Sequence, residues 1–135
     1  MTDDEATEVL VDALDDPDPT VRRHAALALG AHGEVAAVPA LVDLVVEGGH
    51  DVEAAERLGA LAEEPARAER IVSALADQLA APTAESAARS RLTQAILELP
   101  STIAQPVLRR LSRDDDPVVA LIAAAYLEDE DATSR

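Results

Sequence analysis

The stretch from Leu10 to Val46, LVDALDDPDPTVRRHAALALGAHGEVAAVPALVDLVV, contains the signals that decide the fold. Asp18 and Pro19 predict a helix start, because an Asp side chain accepts an orphan backbone N–H and Pro needs no hydrogen-bond partner at the first helical position. The apolar residues that follow are spaced for one helix face: Val21, Ala25 and Leu29. Gly30 predicts the end of this helix, since glycine readily adopts the positive φ found at helix C-termini.

Two further helices flank this one. The residues before it carry apolar side chains at helical spacing: Ala6, Val9, Leu10, Ala13 and Leu14. Pro17 and Pro19 disfavour helix at the residues that precede them, so the first two helices are sharply separated. A third helix follows with Pro39 in its first turn, where proline is tolerated, and with a stripe of Val38, Leu41, Val42 and Val45. The stretch therefore predicts one helical hairpin and the first helix of the next.

This unit resembles a HEAT repeat, specifically the short HEAT-like kind of bacteria and archaea called the phycobilisome-lyase type. The resemblance is carried by Leu10, Leu14, Asp16-Pro17-Asp18, Val21-Arg22, Ala25-Ala26, Leu29-Gly30, Pro39-Ala40-Leu41 and Leu44. It implies an all-α fold, a right-handed α-α superhelix whose concave side is lined by the second helix of each hairpin. It also implies that Arg22 pairs with the turn residue Asp16 or Asp18, so that these three form a structural repeat motif.

The rest of the chain repeats the hairpin with decreasing fidelity. We expect one domain over residues 1–135, with approximate hairpins at 5–30, 34–62, 65–98 and 101–128, followed by a disordered acidic tail at 129–135. The third hairpin is the least similar to the others, and Thr83 is expected to cap its second helix.

The motif returns in the fourth hairpin. There Asp114-Asp115-Asp116-Pro117 aligns with the Asp16–Pro19 turn, and this recurrence supports a true internal period. The arginine of the motif is not kept at the aligned positions, which hold Glu53 in the second hairpin and Ala120 in the fourth.

The composition is strongly acidic. The 135 residues include 27 Asp and Glu against 11 basic residues, all of them Arg, so the net charge is −16. Tyr126 is the sole aromatic residue. This composition resembles that of proteins from extremely halophilic archaea, in which dense carboxylates keep the surface hydrated at high salt but repel one another at low salt. We interpret the acidic surface as adaptation to salt.

The sequence favours a soluble, cytoplasmic protein. The N-terminus, MTDDEATEV, lacks the basic and apolar segments of a signal peptide. No apolar run approaches the roughly 20 residues that span a bilayer, so no membrane partner is expected. The absence of cysteine excludes disulfides and thiolate metal sites.

The histidines are the main candidates for metal chemistry. Deoxyhypusine hydroxylases with HEAT-like repeats bind iron through His-Glu pairs on repeated helices, but His24, His32 and His50 lie outside such pairs. Bilin lyases share the repeat, but this short chain offers no aromatic-lined pocket for a tetrapyrrole. We therefore expect no catalytic residue, no metal and no cofactor.

Arginine clusters raise the question of nucleic-acid binding. They are scattered over first and second helices: Arg22-Arg23, Arg67 with Arg70, Arg89 with Arg91, and Arg109-Arg110 with Arg113. Phosphate binding needs a local positive field, and scattered clusters form no single basic stripe. We expect no nucleic-acid partner.

The resulting hypothesis is a non-enzymatic scaffold that binds another protein, because HEAT-like repeats mostly serve this role. Arg22 and Arg23 are the predicted partner-binding residues. The binding surface is expected on the concave side, formed by helices at 19–30, 52–62, 84–98 and 118–127. The alternatives are an enzyme or lyase accessory of the bilin-lyase or deoxyhypusine-hydroxylase type, and self-association through the solenoid ends.

Overall fold

The computed structural model describes residues 3–81 and 84–133. These ranges contain eight α-helices joined by short turns. They are α1 (Asp3–Ala13), α2 (Pro19–Ala31), α3 (Val38–Glu47), α4 (Asp51–Leu61), α5 (Pro65–Ala80), α6 (Ser86–Leu97), α7 (Ser101–Leu111) and α8 (Pro117–Thr133). A 3₁₀ turn at Val35–Ala37 precedes α3. No strand occurs in the described ranges, and the predicted all-α fold class is confirmed.

The helices pack as four consecutive hairpins that stack into a solenoid. The partners within the hairpins are α1 with α2, α3 with α4, α5 with α6 and α7 with α8. The second helices α2, α4, α6 and α8 also pack on one another in sequence, and their contacts are more extensive than those between the first helices α3, α5 and α7. Closer packing on one side curves a stack toward that side, so the second-helix layer is the inner one.

The core is built from the apolar stripes that the sequence indicates. Its largest fully buried apolar side chains are Leu29, Leu41, Val45, Leu58, Ile71, Leu75, Leu92, Ile96, Leu108 and Val119. Alanines such as Ala26, Ala54 and Ala95 are fully buried between these larger side chains, and their small size lets neighbouring helices approach closely. Burial of this apolar surface is the main favourable term in folding.

The start of α2 is as predicted, but its end is not. The Asp18 carboxylate accepts a hydrogen bond from the Thr20 backbone N–H at 2.9 Å, and Pro19 is the first helical residue. Gly30, predicted to end the helix, is buried within it, and the positive φ of 78° belongs to Gly33. Gly30 serves close packing instead, because a Cβ there would lie 3.1 Å from Arg57 Cβ and from Leu41 Cδ1.

The last helix is longer than predicted. We expected the fourth hairpin to end at residue 128 and a disordered tail to follow, but α8 continues through Thr133. No glycine or proline follows Pro117 in the sequence, so the chain supplies no residue that ends a helix. The last two residues of the predicted tail, 134–135, lie outside the described residues, as does the predicted cap Thr83. No helix in the described part of the chain is long and apolar enough to cross a membrane.

Candidate interaction surfaces

The predicted repeat motif forms a hydrogen-bonded turn between α1 and α2. The Asp16 carboxylate accepts the Asp18 backbone N–H at 2.8 Å, just as the Asp18 carboxylate accepts that of Thr20. Arg22 Nη1 donates to the backbone carbonyls of Asp16 at 2.7 Å and of Pro17 at 3.0 Å. Arg22 thus binds the backbone of its own turn, whereas the resemblance implied a carboxylate partner. Its guanidinium fastens α2 to the turn.

Arg22 and Arg23 lie at the edge of the solenoid where the hairpin turns are. Both line a small cavity of about 90 Å³, together with Leu14 of the turn after α1 and with residues of α3 that include Asp43, Leu44 and Glu47. Partial burial raises the pKa of Asp43, and the negative charge of Glu47 raises it further. The two arginines are half-buried beside this cavity, and their role in partner binding stays a prediction.

A second arginine motif, which the sequence analysis missed, joins the third hairpin to the fourth. Arg89 donates two hydrogen bonds to the Asp114 carboxylate, at 2.9 and 2.8 Å, and lies 3.5 Å from Asp116 Oδ2. Its Nε also donates to the Leu79 carbonyl at 3.3 Å. The Arg89 and Asp114 side chains are only 18% and 19% exposed, so solvent screens this pair less than a surface ion pair.

Spacing in the sequence could have revealed Arg89. Arg89 is the fourth residue of α6 and Arg22 is the fourth residue of α2, so both occupy the same position in their hairpins. The turn that Arg89 binds also repeats the Asp16–Asp18 geometry, because the Asp114 carboxylate accepts the Asp116 backbone N–H at 2.8 Å. The third hairpin therefore shares the arginine position of the first, but the aspartate turn that Arg89 binds belongs to the fourth hairpin.

Replacing Asp114 by Asn should destabilise the protein by about 2 kcal/mol at neutral pH, between the values typical of exposed and of buried ion pairs. The control is Glu64→Gln, which removes the exposed carboxylate partner of Arg67 and should cost less than about 0.5 kcal/mol. Urea unfolding followed by circular dichroism measures both. Equal effects of the two substitutions would contradict the assigned role of Arg89.

The cost of Asp114→Asn should also depend on pH. The hydrogen bonds from Arg89 hold the pKa of Asp114 below its ordinary value. A carboxyl whose pKa is lower in the folded state contributes its full stability above the unfolded pKa of about 3.9, and loses it as the pH falls through the folded pKa. The difference between wild type and variant should therefore be constant above about pH 5 and shrink in more acidic solution.

Arg91 connects the second and third hairpins. Its Nε donates to the Val45 carbonyl at 2.9 Å, and Nη2 donates to the Val46 carbonyl. These carbonyls belong to the last turn of α3, which has no helical partner for them. A Cβ on Gly48 would lie 3.1 Å from Arg91 Cζ, so this glycine makes room for the guanidinium. The guanidinium groups of Arg22, Arg89 and Arg91 thus all donate hydrogen bonds to groups within the solenoid.

The second-helix layer exposes large apolar side chains. Val52 on α4 is 65% exposed, and Val118 and Leu121 on α8 are 48% and 70% exposed. Val52 borders a shallow depression of about 90 Å³ between α4 and α6 that also includes Ala55, Gln94 and Ala95. Within the described residues, the other exposed large apolar side chains, Val9 and Val11, lie on α1, and the first helices α3, α5 and α7 expose none.

None of the three histidines belongs to a cluster of potential metal ligands in the described residues. His24 is exposed on α2, His32 follows the end of that helix, and His50 immediately precedes α4. Across residues 3–81 and 84–133, no group of three His, Asp or Glu side chains is placed to hold a metal ion. The expectation of no metal and no catalytic residue stays a prediction.

Comparison with known proteins agrees with this architecture. Residues 1–62, which contain the first two hairpins, match the family model of HEAT repeats. No curated protein matches the chain. The stacked hairpins continue beyond the matched region, and the turn motif of the first hairpin recurs in the fourth. The first two hairpins are thus similar to HEAT repeats, and the later hairpins continue the same all-α stacked arrangement.

Proposed function

We propose that the whole chain is a HEAT-like repeat protein and a non-enzymatic scaffold that binds another protein through its second-helix surface. HEAT repeats commonly mediate protein interactions, and the exposure of Val52, Val118 and Leu121 on this layer is the observation that carries the proposal. A contiguous patch of exposed apolar side chains marks a binding surface, and three of the five large apolar side chains exposed in the described residues lie on second helices. We further propose that the repeats are of the phycobilisome-lyase type and that the protein works in the cytoplasm.

The proposal is tested by purifying the tagged protein from its host at high salt and identifying bound proteins by mass spectrometry. A stoichiometric partner should be retained by wild type and lost in Val52→Asp and Leu121→Asp. Ala66→Asp is the control, because Ala66 is exposed on the first helix α5. Equal loss of the partner in all three variants would contradict binding through the second-helix surface.

The same preparation tests the earlier hypothesis for the two N-terminal arginines. Arg22 fastens its own turn, so its substitution would alter the fold. Arg23→Glu is the cleaner test of a direct role in partner binding. Retention of the partner by this variant would show that Arg23 does not contribute to partner binding.

The enzymatic and self-association alternatives have distinct signatures. A tightly bound metal or chromophore in the purified protein would favour an enzyme or lyase accessory. Light scattering at high salt would reveal an oligomer formed through the solenoid ends. A monomer with a protein partner and no bound cofactor is the result that the scaffold proposal predicts.

The halophilic interpretation gives a separate prediction. With a net charge of −16, carboxylate repulsion should destabilise the fold when the salt is lowered from about 1 M to about 0.01 M, since the Debye length grows from about 3 to about 30 Å. The thermal unfolding midpoint should therefore fall as salt is removed. A midpoint that stays constant would contradict adaptation to high salt.

A further inference from the structure

An open cavity of about 200 Å³ lies between α5, α6 and α7. Aliphatic side chains from both first helices form most of its lining: Ala76, Leu79, Ala80, Val107 and Leu111. An engineered apolar cavity of 150 Å³ accommodates benzene, so this space is large enough for one leucine side chain. The remaining lining residues are charged: Arg89, Arg110 and Asp114.

Arg110 gives this cavity a free positive charge. Arg89 is already engaged by two carboxylates, those of Asp114 and Asp116. Arg110 is exposed at the cavity and makes no hydrogen bond or ion pair with any side chain in the described part of the chain. In a protein of net charge −16, an aliphatic cavity beside a free guanidinium is complementary to an apolar side chain next to a carboxylate.

The first hairpin provides an internal comparison. The cavity beside Arg22 occupies the same place in the repeat, and Leu44 of α3 lines it as Leu111 of α7 lines the larger one. Asp43, however, takes the place of Arg110 there, and the cavity has a volume of about 90 Å³. Negative charge at that position would repel an acidic ligand. The chain thus presents this groove twice, with Arg110 in the larger one replaced by Asp43 in the smaller one, which Arg22, Arg23 and Glu47 also line.

We propose that the α5–α7 cavity docks an acidic peptide segment of a partner protein, with an aliphatic side chain in the cavity and an adjacent carboxylate paired with Arg110. An Arg–carboxylate contact is charge-assisted and geometrically specific. The cavity lies between first helices, so this docking site is separate from the second-helix surface of the proposed scaffold function. The experiments below therefore test the docking site independently of the proposed scaffold function.

The probe is a fluorescently labelled ten-residue peptide in which two leucines are flanked by glutamates. Fluorescence anisotropy measures its affinity for the intact chain. Arg110→Glu should weaken binding at least tenfold. Arg70→Glu is the matched control, because Arg70 is exposed on α5, lies outside the cavity lining and undergoes the same charge change. This control should stay within twofold of wild type.

Two further measurements separate docking from general attraction between charges. Ala80→Phe, at an exposed position on the cavity lining, should fill the cavity and weaken binding without altering net charge. A peptide with serine in place of leucine should bind at least tenfold more weakly. Circular dichroism verifies that each variant remains helical.

The proposal is overturned if the leucine peptide does not bind, or if Arg110→Glu and Arg70→Glu reduce affinity equally. It is also overturned if the serine peptide or inorganic polyphosphate binds as tightly as the leucine peptide, since the site would then recognise negative charge alone.

Discussion

Leu29→Asp unfolds the protein even at high salt, the condition in which the wild type should be most stable. Leu29 is completely buried between the first two hairpins, so the substitution removes a large apolar side chain and places an unpaired charge in the core. These two effects together should cost at least about 5 kcal/mol, which is comparable to the total stability of many domains. Loss of the helical circular dichroism signal, and of a cooperative thermal transition, measures the effect.

Leu121→Asp is the matched control for this experiment. Leu121 is 70% exposed on α8, so the same chemical change should leave the unfolding midpoint nearly unchanged. A folded, fully helical Leu29→Asp variant would contradict the stacked arrangement of the hairpins. Unfolding of Leu121→Asp would show that α8 is covered in solution.

Gly59→Ala should destabilise the protein by about 2 kcal/mol, even though alanine favours helix by about 1 kcal/mol over glycine. Gly59 is buried in α4, and a Cβ there would lie 2.6 Å from the Glu98 carbonyl oxygen. Because the obstructing atom belongs to the backbone, α4 and the end of α6 would have to separate. Differential scanning calorimetry should show a midpoint lower by several degrees.

Gly30→Ala distinguishes this backbone clash from ordinary crowding. Gly30 is also buried within a helix, but the atoms nearest to its added Cβ are side-chain carbons of Arg57 and Leu41 at 3.1 Å. Leu41 Cδ1 can move by side-chain rotation, and a shift of α4 by a few tenths of an ångström relieves the contact with Arg57 Cβ, so the change should stay within about 1 kcal/mol of wild type. A Gly59→Ala variant as stable as wild type would show that the hairpins stack less closely than described.

The sequence was sufficient to predict the hairpins because local signals agreed with tertiary packing. Asp18, Pro19 and the Val21–Leu29 stripe all indicate one helix, and the structure contains that helix with the predicted cap. The prediction that Gly30 ends the helix was wrong, because glycine occurs both at helix ends and at close contacts between helices. A single sequence cannot tell a helix end, which needs positive φ, from a close helix contact, which needs the absence of a Cβ.

The interaction surfaces were less predictable for a similar reason. The charge of Arg22 suggested partner binding, but its hydrogen bonds go to backbone carbonyls, which have no sequence signature. Arg89 was overlooked because the third hairpin has few motif residues and its partner Asp114 lies in the next hairpin. The exposure of Leu121 depends on which face of α8 is covered, and periodicity alone does not reveal this.

Site-specific photo-crosslinking in the host cell tests the central claim most directly. A photoreactive amino acid is placed at Val52, at Leu121 or, as the first-helix control, at Ala66, all of which are exposed. Our account predicts that Val52 and Leu121 crosslink to the same protein partner and that Ala66 does not. Crosslinking to a partner from Ala66 alone would contradict binding through the second helices.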